Sequence, residues 1–209
     1  MLLTLVAPLF IKKNMTHMPT RITITGDPGS GKSTFAHAVK GITGFDLITT
    51  GNIFRELAAE QGVSITELNQ MAEVQKELDA KVDDYLVSLN EDSRNLVLDS
   101  RMAWHFVKET FKVRLCVQSD VAVERIYSDT RALEEQFGSL DEARKAVEDR
   151  RKSEVKRYHS LYGVDISDNS NFDLVVDTSK RTKEETMALF EEAYANWIQN
   201  SLKRSGQAS

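Results

Sequence analysis

Residues 26–33 read GDPGSGKS, and this stretch decides the fold. It matches the phosphate-loop pattern G-x-x-x-x-G-K-[ST] at every fixed position. Residues 21–25 before it (RITIT) alternate like a β-strand, and residues 34–40 after it (TFAHAVK) have a helical pattern. A glycine-rich turn between a strand and a helix directs backbone N–H groups at a phosphate, and the start of the helix adds a partial positive charge. The stretch therefore predicts a nucleotide site.

Two side chains of this loop have distinct predicted roles. Lys32 can reach the β- and γ-phosphates of a nucleoside triphosphate, and the Ser33 hydroxyl can bind Mg²⁺. A chance glycine-rich turn would not need a lysine and a serine in this register. The residues predicted to hold the phosphate donor are Gly26, Asp27, Pro28, Gly29, Ser30, Gly31, Lys32, Ser33 and Thr34.

Composition narrows the class of protein. The 209 residues suit one α/β domain, and 41% hydrophobic with 28% charged residues is ordinary for a globular chain. The net charge of −5 disfavours nucleic acid as the main partner, because phosphate backbones attract a basic face. The single cysteine, Cys116, allows no internal disulfide and is predicted to be a core residue. A cytoplasmic location fits this pattern.

The N-terminal segment, residues 1–19, is predicted to be a disordered extension. Its apolar run, residues 2–11, is shorter than the roughly 20 residues that span a bilayer. No lysine or arginine precedes the run and no small-residue cleavage site follows it, so a signal peptide is not expected. We expect no membrane partner; a weak membrane-surface anchor is the alternative for this segment.

The rest of the chain, residues 20–209, is predicted to be a single domain in which strands alternate with helices. Such alternation indicates a three-layer α/β fold, a phosphate-loop fold with a five-stranded parallel sheet covered by helices on both faces. Two longer helical excursions, residues 50–93 and 138–165, are the predicted substrate-holding segments. The predicted strands are Arg21–Thr25, Asp46–Thr49, Asn95–Leu98, Lys112–Val117 and Asp173–Val176. The predicted helices are Phe35–Lys40, Asn52–Gln61, Thr66–Asn90, Val121–Phe137, Asp141–Leu161 and Lys183–Leu202.

The residues after the third predicted strand favour phosphoryl transfer over hydrolysis. The chain lacks the N-K-x-D motif of a GTP switch. Asp99 can hold Mg²⁺ through water, but no glutamate follows it to activate a water molecule, as motor ATPases require. Arg101, two residues further on, suits a second bound anion.

A second anion site is also indicated after the second strand. Gly51 and Asn52 can begin a helix there, with Asn52 as its cap. Arg55 then lies about one turn into the helix, near its positive end, where a guanidinium group can bind a phosphate through two hydrogen bonds. An exposed arginine paired with a neighbouring side chain is the alternative.

Four blocks of the chain together resemble the nucleoside monophosphate kinases, most closely the short archaeal-type cytidylate kinases. The resemblance covers about residues 20–185. Its most specific part is the pattern R-x-x-S-E-x-x-R-Y, which Arg150, Ser153, Glu154, Arg157 and Tyr158 fit. The blocks are GDPGSGKS (26–33), TTGNIFREL (49–57), LVLDSRMAW (96–104) and RRKSEVKRYHSLYGVDISDNSNFDLVVDTS (150–179).

The resemblance implies a role for several residues. It implies phosphoryl transfer from ATP, with Mg²⁺, to a nucleoside monophosphate, CMP or dCMP in particular, by a monomer. Arg55 and Arg101 would hold the acceptor phosphate, and Asp99 would be tied to Mg²⁺. Arg125 would pack on the adenine of the donor. Thr50, Gly51 and Asp79 are the remaining acceptor-site residues, although a solvated helix carboxylate is the alternative for Asp79.

The chain departs from the family pattern at three places along the sequence. Asn52 stands where many relatives have aspartate, and Asp99-Ser100 replaces Glu-Gly. Trp104, with His105 and Phe106, stands where smaller residues are expected. These departures fall near the predicted acceptor site and therefore bear on the choice of acceptor.

Residues 144–157 (RKAVEDRRKSEVKR) are predicted to be an arginine-rich lid. Arg150 and Arg157 are seven residues apart and so share one helix face. The alternative is a solvated helix with local ion pairs, such as Arg150 with Glu154. As a lid, the segment would bring its arginines to the transferring phosphoryl group. The predicted catalytic residues are Lys32, Arg101, Arg150 and Arg157.

Two other functions stay open at this point. One is a kinase for another small acceptor, such as AMP or a shikimate-like molecule. The other is a regulatory module that binds ATP without transferring phosphate.

Overall fold

The computed structural model describes residues 19–63, 71, 76–128 and 137–206, and a five-stranded sheet lies at its centre. The strand order is β2-β3-β1-β4-β5, and every neighbouring pair is parallel. This confirms the predicted sheet, with strand ends that differ by two residues at most. The strands are β1 Arg21–Gly26, β2 Asp46–Thr49, β3 Leu96–Asp99, β4 Thr110–Cys116 and β5 Leu174–Asp177.

Helices cover both faces of this sheet and complete the three predicted layers. Successive strand residues point to opposite faces, so the central strand β3 supplies residues to two cores. One core packs Ile22 and Val97 against Phe35 and Phe190, and the other packs Leu96 and Leu98 against helical residues that follow β2 and β3. The helices are α1 Lys32–Thr43, α2 Thr50–Gln61, α3 Lys76–Ser88, α4 Ala103–Phe106, α5 Ser119–Ser128, α6 Leu140–Tyr162 and α7 Lys183–Gly206.

The predicted end of helix α1 was wrong, because the helix continues through Gly41 to Thr43. Its cap is Gly44, whose φ of 72° lets its N–H bond to the Lys40 carbonyl. Helix α5 is described as far as Ser128, and its predicted continuation beyond that residue stays a prediction. Residues 129–136 lie outside the described residues, as do the predicted extension at 1–18 and parts of the excursion at 50–93.

Helix α6, which carries the predicted arginine-rich lid, runs along the carboxyl-end edge of the sheet. Its N-terminal half packs Ala143 and Val147 against Val117 at the end of β4. Its C-terminal half places Tyr158 and Tyr162 against the core beneath α3. The helix therefore passes over the ends of β4, β1 and β3 in turn. Among the described residues, no helix is both long enough and apolar enough to cross a membrane.

Candidate active site

The phosphate loop lies between the end of β1 and the start of α1, as predicted. Gly31 has φ of 82°, a left-handed conformation that side chains rarely adopt, and it directly precedes α1. A Cβ at Gly26 would lie 2.5 Å from the Leu115 carbonyl oxygen, so only glycine fits beside β4 there. The backbone of the loop is thus held against the sheet and leads directly into the N-terminus of α1, where N–H groups can bind an anion.

Two predicted donor-site side chains, Lys32 and Ser33, meet the predicted Mg²⁺ residue Asp99. Asp99, at the end of β3, accepts a hydrogen bond from Lys32 and another from Ser33 Oγ, at 3.0 Å. Asp99 is only 3% exposed. Burial lowers the pKa of Lys32, and the adjacent Asp99 carboxylate opposes that shift. The lysine and the hydroxyl predicted to bind triphosphate and Mg²⁺ therefore share one buried carboxylate.

Arg101 lies between the phosphate loop and α6. Its Nε donates to Glu154 Oε2 at 2.9 Å, and its Nη1 donates to the Gly26 carbonyl at 3.3 Å. Burial alone would lower the pKa of Arg101, but Glu154 raises that pKa above the usual value. Burial would raise the pKa of Glu154, and Arg101 and Arg150 hold it below the usual value. Both groups therefore remain charged, and the ion pair fastens α6 to the loop after β3.

The two predicted lid arginines have different environments. Arg157 donates through Nε to Asp79 Oδ2 at 2.9 Å and through Nη2 to Asp79 Oδ1, which is the two-bond geometry of a guanidinium–carboxylate pair. Arg150 is 49% exposed and donates to Glu154 at 3.2 Å, the local pair considered as an alternative. Asp79 is 6% exposed, so the alternative of a solvated carboxylate was wrong.

Arg125 joins the phosphate loop to the segment after β5. It donates to the Gly29 carbonyl at 3.2 Å and to the Thr178 carbonyl at 2.7 Å. Thr178 Oγ1 in turn donates to the Ser30 carbonyl at 3.1 Å. The guanidinium group therefore lies beside the loop, and its contact with adenine stays a prediction.

The predicted acceptor-site residues on α2 lie at the same edge of the sheet. Thr49 pairs with Asp99 in the sheet register, and α2 begins at the next residue, Thr50. Gly51 and Asn52 therefore lie inside the helix, whereas Asn52 was predicted as its cap. The side chain of Arg55 lies outside the described residues, so its phosphate contact stays a prediction.

The bulky residues of α4 are packing residues. Trp104 is buried, its Nε1 donates to the Arg101 carbonyl at 2.9 Å, and its ring lies 5.1 Å from that of Phe172. Phe106 contacts the Tyr162 ring of α6 at 5.2 Å. Trp104 therefore packs beside Arg101, and Phe106 packs against α6.

Sequence reasoning missed two arginines of the site, Arg114 and Arg151. Arg114, on β4, donates to the Ser167 carbonyl at 2.5 Å and to Asn169 Oδ1 at 2.6 Å, and its Nη2 lies 3.5 Å from Asp27 Oδ1. Arg151 Nη2 lies 3.5 Å from Asp27 Oδ2. A charged residue alternating with apolar ones in β4 was the available signal for Arg114. Arg151 stood beside Arg150 and gave no separate signal.

A carboxyl on α3 predicts a pH dependence of stability. Tyr162 donates to Asp83 Oδ2 at 2.6 Å, and burial raises the pKa of Asp83 to about 6. Protonated Asp83 therefore stabilises the fold, and this contribution to the free energy of unfolding is fully present below about pH 4. It is on the order of 1 kcal/mol after solvent screening, and it is lost as the pH rises through about 6. Urea unfolding from pH 4 to 7 should show this decline in the wild type and a flatter profile in Asp83→Asn. Asp84→Asn, at the exposed neighbouring position, should retain the decline; equal profiles for the wild type and Asp83→Asn would contradict the prediction.

Comparisons with known proteins identify the family of this chain. Residues 21–180 match the model of the cytidylate kinase-like family. A cytidylate kinase from Thermoplasma volcanium is 37% identical over 81% of this chain and 88% of its own length. An S-adenosylmethionine-dependent nucleotide dehydratase from Lacinutrix mariniflava is 34% identical over 85% of this chain. That relative is longer, and the chain spans only 36% of its length.

A solved structure with the same fold is a shikimate kinase from Bacteroides thetaiotaomicron. It superposes with a TM-score of 0.51 at 15% identity and covers 88% of this chain and 98% of its own. Identity this low supports the fold alone. The family match spans the phosphate loop, Arg101 and the arginines of α6, and the chain therefore belongs to the cytidylate kinase-like family.

Proposed function

We propose that this protein transfers a phosphoryl group from ATP to a nucleoside monophosphate, CMP or dCMP in particular, and yields the diphosphate. The observation that carries the proposal is the position of Arg101. Its guanidinium bonds to the Gly26 carbonyl of the phosphate loop, and from there it would supply a cation for a second phosphate beside the proposed triphosphate site. We further propose that the enzyme is cytoplasmic and monomeric.

The donor site fits a magnesium nucleotide. The Ser33 hydroxyl and the Asp99 carboxylate are the hard oxygen ligands that Mg²⁺ prefers, with water and phosphate oxygens filling the other positions. When bound, Mg²⁺ would neutralise charge on the phosphates. Lys32 would exchange Asp99 for phosphate oxygens, and the backbone N–H groups of the loop would hold the donor chain in place.

The transfer step needs no general base. An oxygen of the acceptor phosphate, already ionised at neutral pH, forms the new bond to the γ-phosphorus while the bond to the ADP oxygen breaks. The protein supplies alignment and positive charge, for which we propose Lys32, Arg101, Arg150 and Arg157. Helix α6 is joined to the residues beside the phosphate loop by the Arg101–Glu154 ion pair, and its closure over the substrates would exclude water and limit hydrolysis of the donor.

The proposed cations have carboxylate partners within the protein. Lys32 pairs with Asp99, and Arg101 pairs with Glu154. The phosphates of the substrates must compete with those carboxylates, so substrate binding is coupled to a rearrangement of α6. The carboxylates also satisfy buried cations before substrate arrives, which avoids the cost of leaving them unpaired.

A panel of acceptors tests the proposed function. ADP formation from ATP and Mg²⁺ would be measured with no acceptor and with CMP, dCMP, UMP, AMP or shikimate. We expect CMP and dCMP to raise the rate well above the background of hydrolysis. Stimulation by another acceptor alone would reassign the substrate, and no stimulation by any acceptor would support an ATP-binding regulatory module.

A further inference from the structure

We infer that Arg151 is a further catalytic residue, which binds the transferring phosphoryl group, and that Asp27 holds it beside the phosphate loop beforehand. This inference rests on the proposed function. It assigns Asp27, a phosphate-loop residue, a role toward the lid helix instead of a contact with the donor.

The position of Arg151 is the first observation. It lies on α6 and lines a small cavity together with Gly26, Asp27, Pro28 and Arg101. The first part of the phosphate loop and the proposed acceptor cation therefore border the same space as Arg151. A guanidinium group there can reach a phosphoryl group that moves between the loop and Arg101.

The looseness of its ion pair is the second observation. Arg151 Nη2 lies 3.5 Å from Asp27 Oδ2, beyond a good charged hydrogen bond, and the Arg151 side chain is 43% exposed. Arg157, by contrast, makes two hydrogen bonds to a buried carboxylate. Of Arg151 and Arg157, Arg151 is therefore the one that can leave its carboxylate partner at the lower cost in free energy.

The second partner of Asp27 is the third observation. Arg114 Nη2 lies 3.5 Å from Asp27 Oδ1, and the Arg114 side chain is only 7% exposed. Arg114 is fixed by Ser167 and Asn169, and the Val117 N–H donates to Asp27 Oδ2 at 3.4 Å. When Arg151 moves to the phosphoryl group, Asp27 keeps a cation and a backbone donor, so its buried charge is not left without a partner.

The test compares ligands with and without the γ-phosphate. Titration calorimetry in the presence of Mg²⁺ would measure the affinities of the non-hydrolysable analogue AMP-PNP and of ADP. Arg151→Ala should weaken AMP-PNP binding by about 10- to 100-fold, the worth of a charged hydrogen bond, and leave ADP affinity nearly unchanged. Lys152→Ala removes an equal charge from a position on the same helix that is 76% exposed, and should affect neither ligand. Arg151→Lys should recover part of the loss.

A double-mutant cycle tests the role of Asp27. Asp27→Asn releases Arg151 and should strengthen AMP-PNP binding in the wild-type background by more than in the Arg151→Ala background. If Asp27→Asn changed AMP-PNP affinity equally in both backgrounds, the role of Asp27 in holding Arg151 would be overturned. The change would then come from removing a negative charge near the phosphates, which does not require Arg151.

The kinetic readout separates this inference from the proposed function. With the acceptor that the panel selects, Arg151→Ala should lower turnover by about 10²-fold or more. A loss of AMP-PNP and ADP affinity in equal proportion, or unchanged binding and turnover, would overturn the inference. If no acceptor stimulates the wild type, the proposed function fails, and the AMP-PNP against ADP comparison still tests the Arg151 contact.

Discussion

Replacement of Lys32 by methionine is expected to lower turnover by about 10²- to 10³-fold, the usual cost of removing a charge-stabilising donor from a preorganised site. Lys32 lies at the start of α1, where the phosphate loop ends, and we propose that its ammonium group neutralises charge on the donor. Coupled-assay kinetics with the preferred acceptor would measure the loss, and we expect it in kcat, since the charge develops in the transition state.

The same substitution has a second expected effect, on stability. Asp99 is buried and would lose its cation, so the free energy of unfolding should fall by about 3 kcal/mol at neutral pH. Urea unfolding would measure this change. The double variant Lys32→Met/Asp99→Asn removes the buried charge and should recover most of the stability without recovering turnover.

The double variant distinguishes a loss of turnover that comes from the active site from one that comes from misfolding. A stable but inactive double variant would rule out misfolding as the cause of the lost turnover. Turnover near the wild-type level in either variant would show that Lys32 serves only to neutralise Asp99.

The fold could be predicted from the sequence because its signals are local. Strand patterning and the glycine, lysine and serine spacing of the phosphate loop depend on neighbouring residues, and the sheet formed as expected. The misplaced end of α1 has a local cause as well. Gly41 and Gly44 both suit a helix end, and the left-handed conformation at Gly44 decided between them.

The partners of the charged residues could not be predicted, because they depend on how distant elements pack. Asp79 and Arg157 lie 78 positions apart in the chain, and nothing in their spacing indicates a pair. Arg114 and Asp27 meet only because β1 and β4 are neighbours in the sheet. Helical periodicity placed Arg150 and Arg157 on one face of α6 but could not show that Arg151 faces the phosphate loop.

Replacement of Arg157 by alanine is expected to lower the free energy of unfolding by roughly 3 kcal/mol. The substitution leaves the Asp79 carboxylate buried without the two hydrogen bonds that it accepts from Arg157. Removal of a solvated lid arginine would leave the fold intact. The size of the loss therefore distinguishes an Arg157 that is paired with buried Asp79 from an Arg157 that is solvated. Urea unfolding would measure the loss, with an unchanged m-value indicating two comparable folded states.

Two further variants isolate the pair as the cause. Arg157→Met with Asp79→Leu replaces both charges by apolar side chains of similar size and should restore most of the stability, because the desolvation cost disappears with the charges. Arg94→Ala removes an arginine that also makes several carboxylate contacts but is exposed, and it should barely change stability. If Arg157→Ala were as stable as Arg94→Ala, the Asp79–Arg157 pair would contribute little to the fold, and Arg157 would be free to leave Asp79 for a substrate phosphate at negligible cost.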